Sequence, residues 1–275
     1  MSSEKKVFLV IGDPIEQSLS PLMHNAAFKF LSLNDDYIFL SQKVTSDELG
    51  DAIKACKETN INGIACTIPH KISVIKYLDD LDSQARTIGS VNSIVNENGK
   101  LIGYNTDVQG AIQPLENITS IENKKVAVLG AGGAARGVVF GLVKNNANVT
   151  IFNKTLNRAF NLANEFSCNA QELSNISKVE SFDIIINCTP VGMNNDESLV
   201  PKQFISSNQI IFDIIYNPYE TKLIKDGIDK GAKVIRGVEM FLQQGFEQFK
   251  LFTKLNPPEE IMRDTVIDFL KNKSR

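Results

Sequence analysis

The chain has 275 residues, 43% of them hydrophobic, and a formal net charge of −3. This length and apolar content suffice for one large domain or two moderate domains, each with its own core. The slightly acidic balance argues against nucleic acid or an anionic membrane surface as a partner. No apolar run approaches the roughly 20 residues that span a bilayer, so we expect no membrane-spanning segment.

The first residues pass from a short polar lead straight into a strand-like run, MSSEKKVFLVIGD, without the pattern of a signal peptide. The four cysteines lack the spacing of a metal site and are typical of reduced thiols: Cys56, Cys66, Cys168 and Cys188. Because the chain has only two histidines, we expect no metal site. These features predict a cytoplasmic protein.

The first predicted strand covers 7–11 and ends in a Gly-Asp-Pro turn. A helix should begin at Pro21, with Ser20 as its N-cap, and run to about Leu33. Capping and turn formation are the ordinary roles for Ser18 and Ser20. The alternative is that this loop at the end of a strand offers two hydroxyls to an anion.

A second strand over 37–40, a helix over 47–59 and a third strand over 63–68 follow. Thr67 and Lys71 come at the carboxyl end of the third strand, which is where open α/β sheets bind their ligands. A lone lysine after a strand is ordinarily a solvated surface charge, so position alone does not assign Lys71 a function.

A helix over 81–88 precedes a predicted hairpin, in which Asn98-Gly99 forms the two-residue turn and 101–104 the return strand. The next helix opens directly after the hairpin. Thr106 or Asp107 would cap it, and capping is the ordinary interpretation of both residues.

The segment 125–136, KVAVLGAGGAAR, combines a buried strand, a glycine turn and the start of a helix. This layout brings backbone N–H groups and a helix N-terminus close to a pyrophosphate. Glycine at 130, 132 and 133 avoids a Cβ that would block the phosphate. The alternative is a tight strand-to-helix turn that binds nothing.

A second strand over 148–152 completes a βαβ unit and is followed by Asn153, Lys154, Thr155 and Arg158. A fold that prefers NAD places Asp or Glu near this point to bind the ribose 2′-hydroxyl. Two cations stand here instead, and they would attract a 2′-phosphate. The sequence therefore predicts NADP, although exposed cations at a helix start are also ordinary.

The rest of the chain alternates predicted strands and helices, at 183–188 (strand), 210–215 (strand), 221–230 (helix), 233–235 (strand), from 237 (long helix) and 258–270 (helix).

Several separate motifs occur in the order found in shikimate dehydrogenases: SLSPLMHN, TIPHK, VNS, NTD, GAGGAARG, NKTxxR, NCTPVGM, DIIYNPYETKL and GxxMxxxQ. The chain resembles this family from Val7 to about Phe249. The resemblance implies NADP-dependent, reversible reduction of 3-dehydroshikimate to shikimate, a step in the biosynthesis of aromatic amino-acid precursors.

The resemblance also implies an α/β fold with two domains. A mostly parallel α/β domain over 1–108 would bind substrate and carry the catalytic group. A Rossmann domain over 109–244 would bind NADP. The last helices, within 245–275, would return to pack on the first domain.

By the same resemblance, Lys71 is the catalytic group and Asp107 is its partner. The residues implied to bind substrate are Ser18, Ser20, Thr67, Asn92, Asp107, Tyr216 and Gln244. The residues implied to bind cofactor are Gly130, Ala131, Gly132, Gly133, Ala134, Asn153, Lys154, Thr155, Arg158, Thr189, Ile214, Gly237 and Met240.

The chain departs from the family pattern at three positions near these motifs. Ala65 stands where the family usually has Asn, Ser93 replaces the more usual Thr, and Gln109 replaces a common Gly. A lost hydrogen bond to substrate typically costs about 0.5–1.5 kcal/mol, so Ala65 bears on substrate identity more than on reaction class.

Two alternatives stay open. One is a dehydrogenase for quinate or another cyclic hydroxy acid, with dual or NAD cofactor use. The other is a non-catalytic NADP-binding protein on the same scaffold, which the paired Lys71 and Asp107 argue against. The sequence does not determine the oligomeric state, and a homodimer is one state that it allows.

Overall fold

The computed structural model describes residues 5–59 and 61–273, and the chain divides into two compact units. The first, called here the N-terminal unit, extends to Thr106 and takes in Gln244–Phe269. The C-terminal unit covers Asp107–Gln243 and the end of the chain from Leu270. Within the described residues, no helix has the length and apolar character that a membrane crossing requires.

The N-terminal unit is built on a mixed sheet in the order β2-β1-β3-β5-β6-β4. Its central strands pair in parallel, whereas β5 pairs antiparallel with both β3 and β6. The strands are β1 (Lys6–Gly12), β2 (Tyr37–Lys43), β3 (Gly63–Cys66), β4 (Asp80–Leu81), β5 (Ser93–Glu97) and β6 (Lys100–Tyr104). The helices that begin in this unit are α1 (Ser20–Phe30), α2 (Leu49–Glu58), α3 (Ser83–Ile88) and, after the chain returns, α9 (Glu259–Lys273), with a 3₁₀ turn at Ser73–Tyr77.

An aromatic cluster fills the core of the N-terminal unit. The ring of Phe8 on β1 lies 5.9 Å from Phe28, 6.4 Å from Phe39 and 5.4 Å from Phe252. These rings come from α1, β2 and the long helix α8 (Gly237–Thr253). The second half of α8 therefore belongs to this core, although it follows the C-terminal unit in the chain.

The C-terminal unit contains a fully parallel sheet in the order β12-β11-β10-β7-β8-β9. This is the strand order of a dinucleotide-binding Rossmann fold, in which the ligand crosses the carboxyl ends of the two central strands. The strands are β7 (Lys125–Leu129), β8 (Asn148–Asn153), β9 (Asn169–Glu172), β10 (Ile184–Asn187), β11 (Ile210–Asp213) and β12 (Lys233–Ile235). The helices of this unit are α4 (Asp107–Glu116), α5 (Gly133–Lys144), α6 (Leu156–Phe166), α7 (Lys222–Asp229) and the first part of α8, with 3₁₀ turns at Leu173–Ser181 and Lys202–Phe204.

The predicted fold class is confirmed, and so is the hairpin, whose turn residues Asn98 and Gly99 both have positive φ. The prediction that Ser20 caps α1 is wrong, because the helix already includes Ser20 and Leu19 occupies the cap position. That helix also ends at Phe30 rather than near Leu33, since Ser32 adopts a left-handed conformation with φ of 57°.

The helix predicted over 81–88 begins two residues late. Asp80 and Leu81 form a short strand, and the Asp82 side chain caps α3 by accepting hydrogen bonds from the backbone N–H groups of Gln84 and Ala85. The edge strand β9 was not predicted, because its four residues, NAQE, carry no apolar alternation.

Candidate active site

Lys71 lies on a loop after β3 that is held on both sides. Its carbonyl oxygen accepts a hydrogen bond from Val91 N at 2.7 Å, and His70 N donates to Thr67 O at 2.9 Å. The fully buried His70 ring places Nε2 2.7 Å from the carbonyl oxygen of Val44, which it can satisfy as a donor. These bonds fix the backbone that carries the half-buried Lys71 side chain.

The loop after β1 lies against the same edge of the sheet. Asp13 N donates to Ile68 O at 2.9 Å, which joins the ends of β1 and β3. Farther along the β1 loop, Ser18 Oγ accepts a bond from Ser20 N at 3.4 Å. The structure therefore places the two serines and the Thr67–Lys71 loop on segments that leave neighbouring strands at their carboxyl ends.

Asn92 is the centre of a buried polar network in the N-terminal unit. Its Nδ2 donates to Thr106 Oγ1 at 2.9 Å and to Gln244 Oε1 at 3.4 Å. Its Oδ1 accepts bonds from Thr106 N at 2.8 Å and from Ser93 Oγ at 2.9 Å. Gln248 Nε2 donates to the Asn92 carbonyl oxygen at 3.2 Å. Two predicted substrate residues, Asn92 and Gln244, thus meet although 152 positions separate them.

Asp107 directly follows this network as the first residue of α4, and only 2% of its surface is exposed. By the division of the chain, Lys71 falls in the N-terminal unit and Asp107 begins the C-terminal unit. The pairing of Lys71 with Asp107 stays a prediction.

The glycine turn after β7 has the features that a phosphate site requires. Gly130 has a φ of 105°, and a Cβ there would lie 3.2 Å from the carbonyl oxygen of Cys188. Gly132 precedes the first residue of α5, and a Cβ there would meet nothing within 4 Å. The N-terminus of a helix favours an anionic group, and the open space beside Gly132 leaves room for one. Ala131, Gly133 and Ala134 complete this turn and are half-buried.

Arg136, which the glycine motif includes, has another role. Its guanidinium pairs with Glu165 and lies 5.7 Å from the Phe166 ring centre, so it joins α5 to α6.

The predicted 2′-phosphate residues follow β8. Asn153 Nδ2 donates to the carbonyl oxygen of Thr155 at 2.9 Å, which orders the turn before α6. Lys154 and Arg158 are exposed, and the first turn of α6 contains no acidic residue. In the part of the chain that the structure describes, neither cation forms an ion pair. Both charges are therefore available to an anionic ligand.

The predicted nicotinamide residues surround the ends of β10 and β11. The side-chain oxygen of Asn187 accepts bonds from Thr189 N at 3.1 Å and from Thr189 Oγ1 at 2.7 Å. A Cβ at Gly237 would overlap the backbone of Ile215 and Ile214, so α8 can start here only with glycine. Met240 is buried on the first turns of α8.

Tyr216 lies on the loop after β11, where its ring stacks on Phe241 with the centres 4.3 Å apart. Together, the glycine turn, the unpaired cations and this close-packed loop region fit a phosphorylated dinucleotide.

Family models agree with this arrangement. The chain matches the model of the shikimate dehydrogenase substrate binding domain over 10–94, that of shikimate / quinate 5-dehydrogenase over 114–215, and that of the shikimate 5′-dehydrogenase C-terminal domain over 237–267. A shikimate dehydrogenase (NADP(+)) of Methanocaldococcus jannaschii is 41% identical, and the alignment covers 98% of each chain. The chain belongs to the shikimate dehydrogenase family.

Solved structures of shikimate dehydrogenases share the fold. One in complex with NADP+ has a TM-score of 0.91 and 40% identity, covering 97% of this chain and 96% of that one. The Thermus thermophilus enzyme in complex with NADP(H) and shikimate has a TM-score of 0.88 and 30% identity, covering 96% and 99% of the two chains. These relatives confirm the predicted family and, for the family, NADP as cofactor.

Sequence reasoning assigned no role to Asp213, the first residue of the DIIYNPYETKL motif of this member of the shikimate dehydrogenase family. Asp213 ends β11 with no exposed surface, and burial raises the pKa of its carboxyl group to about 6, against the opposing effect of hydrogen bonds from Thr221, Ile215 and Asn187. A polar residue that closes an apolar strand, IIFD, is the signal that could have identified it.

Proposed function

We propose that this protein catalyses the NADP-dependent, reversible reduction of 3-dehydroshikimate to shikimate. The observation that carries the proposal is the joined set of loops in the N-terminal unit, which presents hydroxyl, amide and ammonium groups at one sheet edge. Its members in this argument are Ser18, Thr67, Lys71 and Asn92. A cyclohexene acid with several hydroxyls needs this combination of neutral hydrogen-bonding groups and a cation.

NADP would be bound by the C-terminal unit. The open glycine turn at the start of α5 would bind the pyrophosphate through backbone N–H groups. Lys154 and Arg158 would bind the 2′-phosphate, with Asn153 and Thr155 shaping the turn beside them. When bound, NADPH supplies the hydride.

Substrate orientation would come from residues remote from the reacting carbon. Ser18 and Ser20 would hold the carboxylate, with Tyr216 in support. Thr67, Asn92 and Gln244 would bind ring hydroxyls. Orientation of this kind can contribute several kcal/mol to the lowering of a barrier.

Lys71 would act at the ketone oxygen. As that oxygen gains negative charge, a nearby ammonium stabilises it and donates the proton that completes the alcohol. Asp107 would position the ammonium through an ion pair. The anchored backbone at His70 and Val91 supports this role, because it limits the positions that the Lys71 side chain can reach.

We take 1–108 with 245–275 as the substrate-binding domain and 109–244 as the NADP-binding domain. The cytoplasmic location and a homodimer stay predictions.

Quinate is the second candidate substrate, and Ala65 is the observation that favours it. Ala65 is buried in β3, paired with Val10 and Ser93, so an amide that the family usually has at this position is missing here. Fewer hydrogen bonds near the ring would relax the discrimination between shikimate and quinate.

Initial rates with shikimate and quinate, each with NADP and with NAD, test both proposals. We expect the largest kcat/KM for shikimate with NADP. Turnover of quinate with NAD and none of shikimate with NADP would reject the proposed function. Binding of NADPH without turnover of either acid would favour a non-catalytic protein.

A further inference from the structure

The carboxylate of Asp213 joins two segments at the carboxyl edge of the Rossmann sheet through three hydrogen bonds. Its Oδ1 accepts hydrogen bonds from Asn187 Nδ2 at 3.0 Å and from Ile215 N at 3.1 Å. Its Oδ2 accepts a bond from the Thr221 hydroxyl at 2.6 Å. All three partners are donors, so a fully buried carboxylate, which only accepts, matches this environment.

The first segment is the loop after β10. Because Asn187 gives its Nδ2 protons to Asp213 and to Val191 O at 3.2 Å, its Oδ1 is turned toward the N–H and hydroxyl of Thr189. Thr189 in turn packs against the glycine turn, where a Cβ on Gly130 would lie 3.0 Å from its methyl group. Asp213 therefore orients Asn187, and Asn187 in turn holds Thr189 beside Gly130.

The second segment is the loop from Ile214 to Thr221. Asp213 holds its start through Ile215 N and its end through Thr221, which also caps α7 by accepting a bond from Ile224 N. The backbone of Ile215 packs directly on Gly237 at the start of α8.

An ion pair fixes the same loop next to α8. Arg236, which precedes Gly237, donates to Glu220 from Nε at 2.9 Å. The end of the loop near Thr221 is thus held twice, by the buried hydrogen bond to Asp213 and by this partly exposed ion pair.

We propose that Asp213 is a positioning residue that sets the shape of the nicotinamide half of the cofactor site by holding Thr189 and the 214–221 loop in register. The inference rests on the proposed function, since Thr189, Ile214 and Gly237 are proposed to border the nicotinamide. Asp213 does not touch the ligand in this proposal. The residues proposed to bind the 2′-phosphate of the adenosine half, which follow β8, are not members of this network.

The raised pKa of Asp213 agrees with this role, because burial is its largest cause and the three hydrogen bonds all favour the charged form. An acid with a pKa of about 6 is mostly ionised at neutral pH, so it can accept bonds from all its donors there.

The test replaces Asp213 with Asn. An Asn side chain keeps one oxygen and replaces the other with an NH2 group, so at least one of the three donors loses its acceptor and the loop that carries it would shift. We expect KM for NADP and the Kd for NADPH to rise on the order of tenfold or more, the range for hydrogen bonds to a charged group. The Kd for 2′,5′-ADP, which contains only the adenosine half, should stay within about twofold of the wild-type value.

Gln209→Leu is the matched control. Gln209 is a buried polar residue that immediately precedes β11, at the opposite end of the strand, where it donates to Val179 O and Phe182 O. We expect this variant to lower Tm while leaving the ratio of the two Kd values unchanged. If Asp213→Asn lowers Tm in the same way and also leaves that ratio unchanged, the proposal is overturned.

A second pair keeps the test available should Asp213→Asn not fold. Thr221→Val removes the donor to Asp213, whereas Thr221→Ser retains it. The Val variant should weaken NADPH binding selectively, and the Ser variant should restore it. Equal binding by both variants would overturn the proposal. Because these measurements are of binding, they are separate from turnover of shikimate by the wild-type protein, which tests the proposed function.

Discussion

The two units use different means for their proposed ligands. In the N-terminal unit the candidate groups other than Lys71 are neutral side chains, some of which hold one another, as Asn92 does with Thr106 and Gln244. In the C-terminal unit they are backbone at glycines and two exposed cations, Lys154 and Arg158. A polyhydroxylated ring needs directional hydrogen bonds, whereas a dinucleotide needs close approach and charge. A variant at one of these two sets of groups should therefore alter the kinetic constants of one ligand only.

Lys71→Ala should produce the largest effect, because it should abolish most of the turnover and leave cofactor binding unchanged. Loss of a general acid typically lowers the rate about 10²–10⁴-fold, so we expect kcat to fall in that range. NADPH binding, measured by fluorescence titration, should not change. Lys76→Ala is the control, since Lys76 is an exposed lysine on the next turn of chain and lies over the Tyr77 ring. Unchanged turnover in Lys71→Ala would refute the catalytic assignment.

The double substitution of Lys154 and Arg158 by Ala should give the second-largest effect. Hydrogen bonds to charged groups contribute about 1.5–3 kcal/mol each, so we expect KM for NADP to rise at least about 100-fold when both are lost. KM for shikimate and KM for NAD should change little, because neither ligand has a 2′-phosphate. Lys178→Ala, at another exposed lysine of the same unit, serves as control. A variant that still prefers NADP over NAD would place the 2′-phosphate elsewhere.

Acid should act on the two units in opposite directions. His24 is fully buried between aromatic rings, and burial lowers its pKa from 6.5 to about 3, with the polar side chain of Gln248 opposing the shift. Between those values the unfolded chain binds a proton that the native state does not, so native stability falls as the pH drops from 6.5 toward 3. Asp213 keeps its proton up to about pH 6 in the native state but loses it above pH 3.8 in the unfolded chain. Its contribution to native stability therefore decreases as the pH rises from 3.8 to about 6.

Each group can change the free energy of unfolding by at most about 1.4 kcal/mol per pH unit, and over pH 4–6 the two effects oppose each other. Urea unfolding at pH 4, 5, 6 and 7 can separate them. Relative to wild type, His24→Phe should gain stability as the pH decreases, and Asp213→Asn should lose it. The same pH dependence in both variants would contradict the assignment.

Gln248→Met should give the smallest effect. It removes the donor to the Asn92 carbonyl oxygen from a buried site, and one neutral hydrogen bond contributes about 0.5–1.5 kcal/mol. We expect KM for shikimate to rise a few-fold with KM for NADP unchanged. Glu247→Gln, which affects only a partly exposed pair with Lys250, is the control. A larger change in KM for NADP than for shikimate would contradict the division of roles.

Local patterns were sufficient for much of this structure. The run that ends at Leu129 and the glycines after it predicted a strand, a turn and a helix, since each signal lies within a few residues. The absence of an acidic residue after β8 predicted NADP on equally local grounds. The contact between Asn92 and Gln244 could be expected only from the family resemblance, because no periodicity links positions so far apart.

The network around Asp213 could not be predicted in this way. Its members end one strand, end another and cap a helix, and each is ordinary in its own segment. Only the parallel pairing of β10 with β11, which sets Asn187 opposite Asp213, makes them a network. The cap of α1 was mispredicted for a related reason, because Ser-Pro is a good start signal whose exact register tertiary packing decides.

The aromatic core of the N-terminal unit limits how this protein can be shortened. Gly63 has no room for a Cβ because the rings of Phe252 and Phe8 would lie within 3.0 Å of it. A truncated protein that ended at Thr106 would lack Phe252, and the aromatic rings that Phe252 contacts would be exposed to water. A free-standing version of this unit should instead join Thr106 to Gln244 by a short peptide bridge, so that the returning helix is translated with the sheet it covers.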